Sequence, residues 1–512
     1  MTLAFIVGCT AALVPVGVAV VDDLRSEVHY RVELQVDFGA DVGQNFGSLF
    51  EARDGKGDVT AGAGFLGAYN TQFRSNRRKL CFFIKPRGKF PEPKLQRLPR
   101  PSADAWVMLF DFNRRLYATA KAGRVDNNLR YWDAVGKRWV VDNRTPQFST
   151  HVADGVLDAA SEMVRWNSRQ VLKGGPEGLW LGACYYAQGC LFTRRYLQEG
   201  RISVHELTTI PWRAGKDSQI ELSQRRTLIT RSPSGFIYAY GQLGDEVLVA
   251  MNTGDVYRYN GDKWRVLVQP GHTSSQFYTM MNHYDRLLLG HYPTGELFQY
   301  DGKNLKRLQG EPPLMPGVSS QEREAQAMVI YGGDLLVGVW PWGEVWRYDN
   351  DRSKWFFLRR MFTQPQPTDA ILSPYEKEAM RLGVAYNLWG QRVTSMIPMG
   401  DSLYISTTAK NSTTIDPKYK FLDATAREEY GAVVRLTLPG QLAVYTDWKD
   451  GPTTFVFTVT QDRMSVTQDG RPLGSTPLDA ETAAALSMER IDWGRGVYGR
   501  FSGRIMKRGI RR

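Results

Sequence analysis

The 512-residue chain holds only four cysteines and six histidines. Four cysteines make no disulfide framework, and no CxxC pair or Cys/His metal spacing occurs. No metal or cofactor site is therefore expected. The G-x-S-x-G elbow, the P-loop and H-E-x-x-H are all missing, which excludes the nucleophile, phosphate-cradle and zinc-protease chemistries those spacings serve. No helix-turn-helix, zinc-finger or RNA-binding signature accompanies the basic charge, so nucleic acid is not an expected partner. Beyond residue 21 no run is long and apolar enough to span a bilayer.

What is present leans toward β-structure. Fourteen Trp, 24 Tyr and 23 Phe favour pleated surfaces. Forty-nine Gly and 25 Pro supply turns for many short strands. Residues 2–21 carry no charge and are followed by Asp22 and Asp23. The stretch 1–21 reads as a signal peptide or N-terminal anchor, with a buried first strand as the plain alternative. Ile6-Val7-Gly8-Cys9 is similar to a bacterial lipobox. In an exported chain Cys184 and Cys190, flanking YYAQG, are placed to pair in a hairpin; the alternative is two core thiols, and Cys81 has no evident partner. A net charge of +12 attracts polyanions. It is scattered except at the tail, where Arg500, Arg504, Lys507, Arg508, Arg511 and Arg512 gather, and a generally basic surface explains it equally well.

Three segments align: 247–267, 287–308 and 335–358. Gly254, Gly295 and Gly343 share one column, 41 and 48 residues apart. Val256, Leu297 and Val345 share a second; Tyr259, Tyr300 and Tyr348 a third. That period fits a four-stranded propeller blade. The apolar run 335–339 reads as a strand buried on both faces. The glycine permits a tight turn, and a trailing Trp264 or Trp355 wedges between sheets. One blade cannot cover both of its faces, so the blades must close into a ring. Weaker copies give blades near 101–144, 145–174, 177–216, 233–270, 272–312, 320–362 and 390–447. The fold expected is all-β: a propeller of about seven four-stranded blades at 101–447. An N-terminal β-unit at 27–95 and a C-terminal one at 448–512 join beside it in a small sandwich. A monomer is expected.

The repeat resembles kelch/BNR-like propeller architecture, without the S-x-D-x-G-x-x-W repeats of sialidases. At the same level it is similar to the seven-bladed polysaccharide lyases, which cleave uronate polymers with His, Tyr and Arg. The ending YGRFSGRIMKRGIR resembles the last strand of laminin-G-like, concanavalin-type sandwiches.

In a propeller, the segment leading into each innermost strand and the loop joining strands two and three open on one face, where ligands sit. The lead-in columns place Gln276, Glu324 and Arg392 together; Met280, Met328 and Met396 below them are packing positions. The second loops contain His291-Tyr292, Trp340-Pro341-Trp342 and Lys410, with Lys121–Asp126 as the counterpart in the first blade. Two large rings in a loop near solvent suit a sugar face, or else pack at a blade edge. A base, an acid and a positive clamp are what β-elimination beside a uronate carboxylate needs. His272, His291, Tyr278 and Tyr292 are the candidates for proton transfer. Gln276, Arg323, Glu324, Trp340, Trp342, Arg392 and Lys410 are the candidates for substrate binding. Each taken singly has a structural explanation, and His283 falls on the opposite side. A glycoside hydrolase would instead need paired carboxylates, with Glu324 and either Asp334 or Glu322 as the nominal pair. Read together, these features suggest an extracytoplasmic carbohydrate-active propeller that favours an anionic polysaccharide. The rivals are a non-catalytic propeller binding a surface glycan or partner protein, and a glycoside hydrolase.

Overall fold

A computed structural model describes residues 28–511, apart from 42, 44–45, 70–76, 87–89, 121–128, 143–148, 160–162, 174–178, 200–201, 232–234, 269–274, 309, 311 and 411–418. The proposed leader at 1–21 lies outside these residues. Among the described residues no helix is long and apolar enough to cross a membrane. The strands form nine antiparallel sheets. Among the described residues, seven of these sheets follow one another along the chain as propeller-type, blade-like units, six of them built on four consecutive strands. Blade 1 begins at Val107–Phe112, blade 2 at Ser149–Val152, blade 3 at Leu179–Ala187, blade 4 at Ile237–Leu243, blade 5 at Gln276–His283, blade 6 at Glu324–Tyr331 and blade 7 at Arg392–Met399.

The last blade takes only three strands from its own stretch. Its outer strand is Lys94–Arg97, paired with Val433–Thr437. The ring is thus closed by a segment that precedes blade 1, and Leu98 N donates to Val433 O just beyond it (2.9 Å). Gln441–Tyr445, which the sequence assigned to the final blade, instead pairs with Lys79–Ile84 in the sandwich. Blade 3 likewise runs past residue 216, its outer strand being Arg226–Ile229.

The repeat columns are structurally equivalent. Gly254, Gly295 and Gly343 have φ of +85, +72 and +65, and Gly431 of blade 7 has +73. All four need the left-handed backbone that only glycine adopts freely. A methyl group at Gly343 would lie 2.4 Å from the Phe362 ring. Trp264 does wedge between blades, packing edge-on to Phe192 of blade 3 at 5.9 Å.

A second column becomes visible only in three dimensions. The first residue of strand two meets, diagonally, a residue of strand three. In blade 4 this is Glu246 with Arg258 (3.3 Å), and in blade 6 Asp334 with Arg347 (2.5 Å). In blade 5 the polarity is reversed, Arg286 donating to Gln299. In blade 7 Arg435 donates to Ser402 (2.7 Å). In blade 1 the Arg115 guanidinium lies 4.3 Å from the Tyr131 ring. Diagonal neighbours on one sheet face are within reach of long side chains, so one backbone geometry accepts several chemistries.

The remaining two sheets form the sandwich. One runs Arg471–Pro477, Arg463–Gln468, Thr453–Thr460, Val28–Asp37, Arg504–Arg511; the other runs Gln441–Tyr445, Lys79–Ile84, Val59–Phe65, Gly47–Arg53, Arg490–Trp493. Both chain ends therefore interleave in each sheet. Their inward faces meet in one apolar core that includes Leu34, Phe50, Phe82 and Phe457. Each such side chain contributes roughly 1.5–3 kcal/mol on burial.

The sandwich covers the propeller face that carries the turns between strands one and two. Lys79 pairs with Asp111 of blade 1 at 3.0 Å, both fully buried. Lys85 bridges Asp334 (2.9 Å) and Asp351 (2.7 Å) of blade 6. Asp41 accepts from Ala153 N of blade 2 (2.6 Å). From this side Ala68–Tyr69 runs into the ring and pairs with Met280 and Met281 on the inner edge of blade 5.

Candidate binding site at the channel mouth

The open mouth lies on the opposite face. In blades 5 and 6 the loop between strands two and three latches onto the residue before the next inner strand. Arg323 N donates to Pro293 O (2.7 Å) and Gln391 N to Pro341 O (2.8 Å). These latches fix the residues that follow, Glu324 and Arg392. The inner strands of blades 4 to 7 share a bulge at one position, centred on Tyr238, Tyr278, Gln326 and Thr394. A bulge leaves one residue outside the ladder and re-aims its side chain. Four neighbouring blades thus direct a polar or aromatic group at the same level of the channel.

The cluster is contiguous. The rings of Tyr238 and Tyr278 are 4.9 Å apart. Arg392 Nη2 lies 3.5 Å from Glu324 Oε2, and its guanidinium sits 6.0 Å from the Trp340 ring. Tyr292 packs 6.1 Å from Trp340. Tyr386 donates to both oxygens of Glu322 (2.5 and 2.6 Å). Lys410 Nζ donates to Asn387 (2.8 Å). Gln326 is fully buried beside the Tyr278 hydroxyl, and neither polar atom of its amide completes a well-formed hydrogen bond.

Burial raises the Glu324 carboxyl above the ordinary carboxylate range, opposed by Arg392 and Lys410. Burial pushes Tyr278 up to about 12, with Arg392 opposing and Glu324 reinforcing the rise. Tyr292 is raised by burial and by the nearby Glu322 and Glu324 carboxylates. Lys410 is lowered by desolvation and by Arg392. Arg392 is the hub through which these groups interact.

The structure sorts the residues expected from sequence. Gln276, Tyr278, Tyr292, Glu324, Arg392 and Lys410 come together at the mouth. His291 is buried, with Nε2 2.8 Å from Ser275 Oγ and Nδ1 2.8 Å from Thr294 Oγ1. Both ring nitrogens are engaged, so it braces its loop. Arg323 is turned away, donating to the Pro312 and Pro313 carbonyls and pairing with Glu344 at 3.2 Å. His272 and the whole Lys121–Asp126 loop lie outside the described residues. Trp340 and Trp342 are 2% and 1% exposed. The loop is not an open aromatic platform: Trp342 bridges to Gln391, and the Arg360 guanidinium lies 5.3 Å from its ring. Asp334 begins strand two at the sandwich end of blade 6, paired with Tyr331, roughly 20 Å from Glu324 along the strand. Only Glu322 can partner Glu324. His283 does face the sandwich side, its Nε2 donating to Asn350 Oδ1 (2.8 Å). Cys184 and Cys190 are both present as thiols.

Sequence reasoning missed Tyr238, Gln326 and Tyr386. The first two had a signal. They stand two residues after the lead-in column, where polar or aromatic residues interrupt an apolar strand.

No family model matches the chain, and no curated protein matches it. Among solved structures it is similar to the WD40 repeats of RRP9, at 10% identity and a TM-score of 0.34, covering 68% of this chain and 100% of that one. It is also similar to a β-propeller domain from Myceliophteria thermophila, at 10% identity and a TM-score of 0.35, covering 67% and 100%. A third is the extracellular domain of a one-component system protein from B. thetaiotaomicron, at 12% identity and a TM-score of 0.36, covering 68% of this chain and 40% of that one. The propeller assignment itself rests on the sheet order described above.

Proposed function

We propose that the chain is an extracytoplasmic glycan-recognition propeller that takes a carboxylate-bearing sugar at the channel mouth. The observation that carries this reading is the convergence of Arg392 and Lys410 with the rings of Tyr238, Tyr292 and Tyr386 around a hydrogen-bonding rim. Guanidinium and ammonium groups suit a uronate carboxylate, and flat rings with polar edges suit a pyranose. The apolar, charge-free opening stretch supports the location. Binding is favoured over elimination because His291 is engaged on both nitrogens and burial holds the Tyr278 phenol protonated. β-Elimination, the chemistry of the uronate lyases that the repeat resembles, is the alternative reading of the same mouth.

Titration calorimetry with galacturonate, glucuronate and mannuronate oligomers tests it. At least one is expected to bind. Lys410→Gln should weaken binding by about 3- to 10-fold with an unchanged melting temperature, since the residue is on the rim. An absorbance rise from an unsaturated product would convert the reading to a lyase, and no binding by any acidic glycan would overturn it. One observation favours hydrolysis as a second reading. Glu322 and Glu324 both act on Tyr292 and Lys410, so two carboxylates do share the mouth. Release of reducing ends that is abolished by Glu324→Gln would establish it.

A further inference from the structure

We infer that the strand Arg504–Arg511 is a docking edge, to which a partner protein adds an extended acidic segment as the next strand of the sandwich. This surface is separate from the channel mouth, and its role does not depend on the glycan reading.

The sandwich has four edges, and three are guarded. Arg471–Pro477 carries Pro472 and Pro477, which cannot donate to a ladder. Gln441–Tyr445 is capped at its middle, where Ala443 N donates to Gly400 O (2.7 Å) and Gly400 N to Ala443 O (3.0 Å). Arg490–Trp493 is only four residues long. The fourth edge, Arg504–Arg511, is eight residues long, lacks proline and, among the described residues, pairs only with Val28–Asp37. Every residue of it but the half-buried Ile505 is exposed. Its outward N–H and C=O groups form a row that another peptide backbone can satisfy along its whole length.

Side chains define the segment that fits. Lys507, Gly509 and Arg511 share one face, opposite Gln35, Glu33 and Arg31. Glu33 is already engaged by Arg31 at 3.4 Å. A methyl group at Gly509 would meet nothing within 4 Å, so the row has a gap between two cations. An added strand would lay two carboxylates, four residues apart, over Lys507 and Arg511, with a large ring between them over Gly509. On the other face Ile510, opposite the core residue Val32, is 40% exposed, and an apolar residue of the added strand would cover it. Basic side chains also guard edges against self-pairing. Here Arg504, Lys507, Arg508 and Arg511 stand in a strand without a carboxylate, so a second copy would set cations against cations while an acidic strand meets its complement. Met506, at 44% exposure, and Ile510 add apolar surface that a purely protective edge does not need.

A labelled peptide with the core Glu-Val-Tyr-Val-Glu, flanked by Thr, is titrated against the full chain by fluorescence anisotropy. Saturable one-to-one binding is expected, with amide hydrogen exchange slowed across residues 504–511. Two N-methylated forms, each blocked at one set of alternate amides, keep the charge unchanged. Strand addition predicts that one of them loses at least about 10-fold in affinity while the other retains it. The double variant Lys507→Glu, Arg511→Glu should weaken the parent peptide at least about 10-fold at an unchanged melting temperature, since both side chains are exposed. Equal binding by the two N-methylated forms would mean attraction by charge alone and overturns the inference, as does absence of binding by the parent peptide.

Discussion

Blades 2 and 6 use the same four-strand module and differ in depth. In blade 6 every residue of Glu324–Tyr331 and of Asp334–Trp340 is buried. In blade 2 the equivalent strands, Ser149–Val152 and Gly155–Ala159, alternate between buried and half-buried. Neighbours account for the difference. Blade 6 lies between two well-formed blades and its turn presses on the sandwich, where a methyl group at Gly333 would meet the Phe83 ring at 2.4 Å. Strand pattern sets which face is apolar, but the packing around a blade sets what one substitution costs. The mouth residues Glu324 and Tyr278 belong to the more deeply buried blades of the ring.

The diagonal column offers the sharpest way to break this comparison. Asp334→Ala leaves Lys85 with Asp351 alone and Arg347 with Asp349 at 3.7 Å, and should cost about 3 kcal/mol in urea unfolding. Glu246→Ala, at the same repeat position in blade 4, should cost about 1 kcal/mol, because its partner Arg258 is partly solvated. Equal costs would refute the claim that surroundings dominate.

Acid is the next lever. Burial drives His283 of blade 5 and His151 of blade 2 down to about 3. In the unfolded chain both take up a proton near pH 6.5. Between those values the unfolded state binds more protons, so stability falls as pH drops from about 6.5 toward 3. At pH 4.5 His283→Gln should recover about 2–3 kcal/mol of that acid loss, seen as a flatter plot of unfolding free energy against pH. His151→Gln should recover a similar amount, because burial lowers that ring to the same value.

The smallest effect concerns the glycine column. Gly343→Ala combines left-handed backbone with a 2.4 Å approach to Phe362, and should cost about 2 kcal/mol. Gly261→Ala, also left-handed but with open space around it, should cost about 1 kcal/mol. A pair of thermal melts separates them.

Much of the architecture was legible because packing repeats itself in the sequence. The columns of Gly254, Gly295 and Gly343, and of Tyr259, Tyr300 and Tyr348, encode a turn and a buried ring that every blade needs. The alternation of apolar and polar residues in VHYRVELQV (28–36) marks a sandwich strand in the same way. The closing strand was not legible: Lys94-Leu95-Gln96-Arg97 has one apolar residue and gains its role only from a partner far along the chain. At the site, Glu324 and Arg392 were readable because polar residues vary in a column that packing alone would not diversify. Burial of Trp340 and Trp342 was not, since it depends on the latch between two blades and not on the loop's own composition. Arg258 and Arg347 align within the repeat, and the acids Glu246 and Asp334 precede them by 12 and 13 residues, so the diagonal pair left a trace that only the sheet register makes meaningful.

The way the two ends interlock constrains how the molecule is made. Lys94–Arg97 leaves the ribosome more than three hundred residues before Val433–Thr437, and Val28–Asp37 waits longer still for Thr453–Thr460 and Arg504–Arg511. Until the final tenth of the chain is available, the nascent polypeptide carries unsealed sheet edges at both extremities, a state prone to mispairing and slow to resolve. Premature termination anywhere before residue 433 would consequently disable ring and sandwich at once, leaving no intact half to survive alone.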